Sequence, residues 1–467
     1  MAGERGLKSY GLPGLQGELS HVHVIPKRVE LMHTQIGTYF IQEAKHLDFS
    51  ALLKLTMSNT EAEQLTLEDD LGYVEEDPNP LKRPASPSSS HSDQAPYLSH
   101  RHAKQNKKRA MEKAQHNHVP SLRILEEYVQ LSEPIESHLV TKSLPATKGA
   151  YRALNERYDK DARKEFTLEE LLHENGFTLI EWDGRDPVPI RDRHGLVIAV
   201  LGGRPADISY VQDADAIYYA IMSEGQHAKF SAKASQSRKG AFAALNVGVS
   251  YGNGQERPSR LNTGKHAAML ERLVSNPALQ RIAAFQSAVF QLWAPRIFAY
   301  YDAHLKRLYE KLLHLTRLFP RSIFPCSAFN FGGNVISYKH RDVLNCPFGW
   351  CAIQALGKFN PKRGGHSVLW ELKLIIEFPH ASSILIPSAV ITHSNLPIQP
   401  GESRVSFTQY CAGGIFQWVD NGFRTEPELY AEDPDEYEQM QAKKDARWEE
   451  GLSLFSTMEE IFAQNID

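Results

Sequence analysis

Apolar and polar positions change rhythm along this chain. Through residues 121–319 apolar side chains recur at intervals of three and four, most clearly at 267–273 and from 282 to 313, a spacing that predicts helices. Two apolar runs, 177–182 and 196–201, interrupt that pattern as strands. Beyond about residue 330 the rhythm shortens. Apolar runs separated by turn residues follow one another at 334–338, 350–356, 366–370, 372–378, 383–386 and 405–410. Short strands at close spacing after a mainly helical half predict an α+β chain with a double-stranded β-helix (jelly-roll) core buttressed by helices. Such a barrel brings residues from separate strands to one mouth.

The first quarter of the chain follows neither rhythm. Residues 1–65 hold one compact apolar stretch, 40–55, with no evident partner, and 66–120 turn polar, with Pro84 to Ser90 rich in serine and proline and a basic run at 101–113. Such a composition cannot bury enough apolar surface to fold alone and reads as a flexible linker. The expected organisation is therefore an N-terminal segment (1–65), a basic linker (66–120), a folded unit over 121–424 with a helix-rich part (121–320) and a jelly-roll core (321–424), and an acidic tail (425–467). That tail changes the meaning of the net charge of -4. Residues 426–460 contain twelve acidic and three basic side chains, so the remainder of the chain is mildly basic, at about +5.

Cysteine usage and hydropathy narrow the class. Cys326, Cys346, Cys351 and Cys411 lack CxxC spacing and all fall in or beside the expected core, which argues against zinc and for reduced thiols. No apolar run approaches the ~20 residues of a spanning helix, and Met1 to Gly6 do not begin a signal peptide. A soluble, intracellular protein is expected. The run 101–113 is either a solvated linker or a nuclear-targeting and nucleic-acid patch.

Candidate chemistry lies in His340-Arg341-Asp342, followed by His393 and by Arg404-Val405-Ser406. Two histidines and one carboxylate can occupy one face of an octahedral Fe(II) and leave the other face open. An arginine beyond the distal histidine suits the far carboxylate of 2-oxoglutarate, because its planar fork matches a carboxylate bidentately. Ser406, two residues on, would share its strand face. The tripeptide alone is weak evidence, since His46-Leu47-Asp48 and His91-Ser92-Asp93 read the same way. Only His340 sits between strand-like runs. His366 and His380 are rivals for the distal ligand, but neither has an R-x-S beyond it at a comparable distance.

Outside that core, two flexible, partly basic segments suit phosphate contacts: Lys229, Lys233, Arg238 and Lys239 in the first, Arg257 and Arg260 in the second. The competing reading is that both are ordinary solvated loops.

His340-Arg341-Asp342-Val343-Leu344-Asn345, Trp350 to Ile353, Gly364-Gly365-His366, Ile391 to Asn395 and Arg404-Val405-Ser406 together resemble the core of the TET/JBP family, most nearly its fungal transposon-associated branch. Members of that family are Fe(II)- and 2-oxoglutarate-dependent dioxygenases that oxidise methyl groups on DNA bases. The resemblance extends through much of 166–424 and adds nothing to the N-terminal third. It implies that His340, Asp342 and His393 bind iron and that Arg404 and Ser406 hold the cosubstrate. It also implies that Asn345 hydrogen-bonds the target base, that Tyr410 stacks on it, and that methylated duplex DNA is the partner. One position departs from the animal enzymes, whose base-reading histidine is replaced here by Ala412. The substrate thus stays open between 5-methylcytosine and N6-methyladenine. The same residues also leave open a protein or small-molecule hydroxylase, or a catalytically silent DNA-binding protein.

Overall fold

The computed structural model describes residues 120–464 apart from 156–162, 237–238 and 253, together with the backbone of short strands at 22–24, 33–34 and 37–38. The apolar stretch 40–55, most of the expected linker, Arg238, and the H-x-D copies at His46 and His91 lie outside the described residues.

Two sheets carry the fold, in a mixed arrangement of strands and helices. The larger has nine strands. Its centre runs Val197–Gly203, Ser383–Ile386, Cys351–Lys358, Ser403–Tyr410, Cys326–Phe331, Ala243–Ser250, antiparallel at every step. The smaller has five, ordered Val22–Val24, Thr178–Glu181, Leu374–Ile376, Ser367–Leu369, His393–Asn395. Side chains from both sheets join one buried cluster, which includes Ile180, Leu369 and Ile376 from the smaller and Ala199, Leu385 and Phe407 from the larger. The opposite face of the smaller sheet has its own cluster of Leu171, Phe177, Val368, Ile375 and Leu396. Among the described residues no helix is long and apolar enough to cross a membrane.

Helices pack against the larger sheet through a face the sequence marks only indirectly. Ile208–Ala228 begins at an Asp207 cap and Pro277–Trp293 at an Asn276 cap, each side chain accepting a first-turn N–H. Gln286 on the second helix donates to Gln354, and Gln409 donates to Gln286, so buried amides join helix to sheet. The long apolar run 282–313 divides into two helices, Pro277–Trp293 and Pro295–Lys311. Pro295 has no N–H to continue the first helix and drives Ala294 out of helical geometry, to φ -140 and ψ 59.

The acidic C-terminal segment is not an extended tail. It forms Glu426–Glu432, Pro434–Lys443, Arg447–Ser453 and Met458–Ala463, two of which start in capping boxes, at Thr425 with Glu428 and Thr457 with Glu460. Phe455 and Ile461 are buried in the main cluster. Acidic side chains there meet cations of the body, as in Arg424 with Glu436 and Arg296 with Glu460.

Candidate metal and cosubstrate site

Alternation along the Ser403–Tyr410 strand divides its side chains between two tasks. Val405 and Phe407 are buried in the core and Gln409 bonds the helix behind the sheet, so odd positions face the helices. Even positions, Arg404, Ser406 and Tyr410, project to the other side. Ser406 sits opposite Asn330 in the ladder, and its hydroxyl accepts from the Asn330 amide at 2.8 Å.

Elsewhere in the fold three residues able to hold a metal converge. His340 and His393 form an antiparallel pair that exchanges both backbone hydrogen bonds, at 3.1 and 2.9 Å, which puts their side chains on one face with ring centroids 4.3 Å apart. The Asp342 N–H donates to Ser388 at 2.9 Å. One ligand atom from each of His340, Asp342 and His393 lies within 4.8 Å of the others. Tautomers are set from behind. Nδ1 of His340 donates to the Tyr338 carbonyl at 2.7 Å and Nδ1 of His393 to the Ile391 carbonyl at 3.0 Å, leaving each Nε2 lone pair directed to the shared space. Those Nε2 atoms lie 3.8 and 3.9 Å from the Asp342 oxygens. Two imidazoles and a carboxylate with open positions fit Fe(II).

Electrostatics agree with a cation centre. Burial alone would push the Asp342 carboxyl up, yet the Lys239 ammonium, by charge and by hydrogen bond, holds it well below the usual carboxylate range. Burial, then the neighbouring His393 and Lys239, keep His340 well below its usual value and therefore neutral, as a metal ligand must be.

Arg404 lies on the Ser406 side of the Ser403–Tyr410 strand. It is 3% exposed, its Nη1 donates to the Val335 carbonyl at 3.3 Å, and its Nε has no hydrogen-bond partner. Burial lowers its pKa to about 10, and among the described residues no acidic side chain offsets the charge. The aromatic face of Phe378, 5.8 Å away, is a poor substitute. A buried guanidinium without its own carboxylate is costly, so the pocket suits an anion from outside. With Ser406 two residues along, the far carboxylate of 2-oxoglutarate fits.

Asn345 donates from its side chain to the Ser388 hydroxyl at 3.1 Å and pairs through its backbone with Ala412. Tyr410 is partly buried; burial first, then Cys326 and Asp342, raise its hydroxyl well above the usual value. Ser388, which holds both Asp342 and Asn345, has no sequence signal beyond its place in an Ile-Pro-Ser turn.

The rival histidines are elsewhere. His366 precedes Ser367–Leu369 and is offset by an odd step from Leu369, the partner of His393, so it belongs to the opposite sheet face. His380 accepts from the Gly357 N–H and approaches Asp215 at 3.6 Å. Neither is in the ligand cluster. Of the proposed phosphate contacts, Lys229, Lys233, Arg257 and Arg260 are exposed, with Arg260 bonded to Thr316. Lys239 is turned inward onto Asp342.

No protein-family model matches the chain, and no curated protein does. Among solved structures it is similar to NgTET1 in complex with 5mC DNA, with a TM-score of 0.38 and 13% identity over 51% of this chain and 83% of that one. It is also similar to an oxidoreductase of the 2OG-Fe(II) oxygenase family from Burkholderia pseudomallei (TM-score 0.23, 14% identity, 37% of this chain and 69% of that one). A third is the viral collagen prolyl hydroxylase vCPH from Paramecium Bursaria Chlorella virus-1 in its 2OG complex (TM-score 0.16, 18% identity, 18% of this chain and 57% of that one). Overlap of this extent leaves the residues of the site as the ground for assigning chemistry.

Proposed function

We propose that this protein is an Fe(II)- and 2-oxoglutarate-dependent dioxygenase that oxidises the methyl group of modified bases in DNA. The convergence of His340, Asp342 and His393, with both Nδ1 atoms tied back, carries the reading. Iron bound there supplies activation of dioxygen against a methyl C–H bond, coupled to oxidation of the cosubstrate. Arg404 and Ser406 orient 2-oxoglutarate, and the burial of both side chains keeps bulk water from them. The two sheets are read as the double-stranded β-helix, within a catalytic unit at 121–424 to which the helices of 426–463 are joined.

The base is held by Asn345 and Tyr410 after extrusion from the duplex, since a stacked methyl group cannot reach the metal. Oxidation of the carbon-bound methyl of 5-methylcytosine leaves a stable alcohol that can be oxidised again. Oxidation of the nitrogen-bound methyl of N6-methyladenine gives a hemiaminal that releases formaldehyde. Support for DNA comes from the resemblance of the core motifs and from the NgTET1 complex with 5mC DNA. Exposed Lys229, Lys233 and Arg257 are read as phosphate contacts, and 101–113 as the element that directs the protein to the nucleus. A protein or small-molecule hydroxylase would leave these cations unused. A silent DNA-binding protein would not be expected to keep every ligand and the anchor.

Incubation with iron, 2-oxoglutarate, ascorbate and duplex oligonucleotides carrying either mark, followed by mass spectrometry of the nucleosides, tests the reading. Loss of one mark in the wild type but not in His340→Ala is expected. Identical nucleosides from both proteins would sink it.

A further inference from the structure

The sequence groups Lys239 with candidate phosphate contacts, yet its backbone pairs with the segment that leads into His340. The Tyr338 N–H donates to the Lys239 carbonyl at 2.7 Å, and Gly240 pairs antiparallel with Ser337. The Tyr338 carbonyl in turn fixes Nδ1 of His340. One short ladder therefore sets the tautomer of a ligand and the starting point of this lysine. Gly240 permits the close approach, because a Cβ there would lie 2.4 Å from the Ile336 carbonyl oxygen and 2.3 Å from the Phe242 ring. From that anchor the ammonium donates to Oδ1 of Asp342, while Oδ2 faces Nε2 of His393.

We infer that Lys239 is a positioning residue of the metal centre, holding one oxygen of Asp342 so that the other is presented to the metal. The inference rests on the reading of His340, Asp342 and His393 as iron ligands. A carboxylate free to rotate offers its oxygens in many directions, and partners behind the ligands commonly govern metal affinity. The Lys239 side chain is 44% exposed and the Asp342 side chain 15%, so a partly solvated lysine turns its ammonium onto a largely buried carboxylate. Oδ1 also lies 3.8 Å from Nε2 of His340, so the ammonium and that imidazole share one oxygen while Oδ2 stays with His393.

Titration of the metal-free protein with Mn(II), following the free ion by electron paramagnetic resonance, tests this without turnover. Lys239→Met should raise the dissociation constant about tenfold, and Lys239→Arg should stay within about threefold of the wild type. Gly240→Ala, which keeps the charge but displaces its anchor, should weaken binding in the same direction. An unchanged constant in Lys239→Met overturns the inference, as does tighter binding, which would make the ammonium a competitor for the carboxylate. His340→Ala in the same titration separates the two levels. If it binds Mn(II) like the wild type, the ligand assignment fails; if it loses binding while Lys239→Met does not, only the role of Lys239 fails.

Discussion

Arg447, with a side chain 16% exposed, and Arg404, 3% exposed, are treated differently by the fold. Arg447, on the C-terminal helices, lies 3.1 Å from the Asp420 carboxylate, donates to the Tyr300 hydroxyl and covers the Tyr151 ring at 3.7 Å. Burial works against its charge, but Tyr300, Tyr151 and Asp420 outweigh burial and raise its pKa. Arg404 has one backbone carbonyl and an aromatic face, and its pKa falls. The first arginine completes the fold, tying the helices past Arg447 to the one ending at Asp420, where His304 and Tyr151 also bond. The second has no such carboxylate among the described residues, which is the ground for proposing it as the anchor of an anion. A buried charge with its own partner is architecture; one without is a binding site.

The comparison breaks most visibly at Asp420. Asp420→Asn leaves Arg447 buried without its carboxylate and should lower the unfolding free energy by about 3 to 5 kcal/mol in chemical denaturation. Affinity for 2-oxoglutarate should not change.

His366 sharpens the contrast from another direction, since orphaned atoms alone do not mark a ligand site. It is 1% exposed, neither ring nitrogen has a partner, and burial lowers its pKa from 6.5 to about 4. It meets burial by staying neutral, an option Arg404 lacks. As pH falls, the unfolded chain takes up this proton first. The histidine therefore costs nothing above pH 6.5 and removes about 3 kcal/mol of stability as pH drops through 6.5 to about 4. Urea midpoints across that window should fall less in His366→Phe than in the wild type; parallel falls would refute the account.

Arg404→Met gives the smallest of these effects in energy and the most diagnostic in sign. Loss of a charge-assisted, two-pronged contact should weaken 2-oxoglutarate binding about a hundredfold by calorimetry. Stability without ligand should hold or rise, because an uncompensated buried charge becomes apolar. If the variant instead unfolds as readily as Asp420→Asn, the two arginines are alike and the distinction collapses.

Much of this site was legible in the chain because its parts are local patterns. His340 and Asp342 sit in one turn, Arg404 and Ser406 share a strand face, and the run at 383–386 coincides with Ser383–Ile386. Other strand ends shift by up to two residues, as at Cys351–Lys358 against the expected 350–356. The run 334–338 makes isolated ladder contacts, Asn334 with Arg404 and Ser337 with Gly240, rather than a continuous strand. Contacts between distant segments were not legible. Nothing near Lys239 announces Asp342, nothing near Ser388 announces Asn345, and the acid-rich composition after Arg424 concealed Phe455 and Ile461, which bury themselves in the core. Net charge describes what faces water; a helix packs by its few apolar positions.

The division of labour along Ser403–Tyr410 constrains the length of that strand as well as its residues. Inserting or deleting one residue between Arg404 and Phe407 would exchange the two faces downstream, sending Phe407 or Gln409 into the cosubstrate space and Tyr410 toward the helices. A change of two would preserve the sides and alter only the reach. Descendants of this chain can therefore vary the spacing between Arg404 and Tyr410 in even steps, and the distance between the proposed anchor and the proposed platform is quantised by the pleat of a single strand.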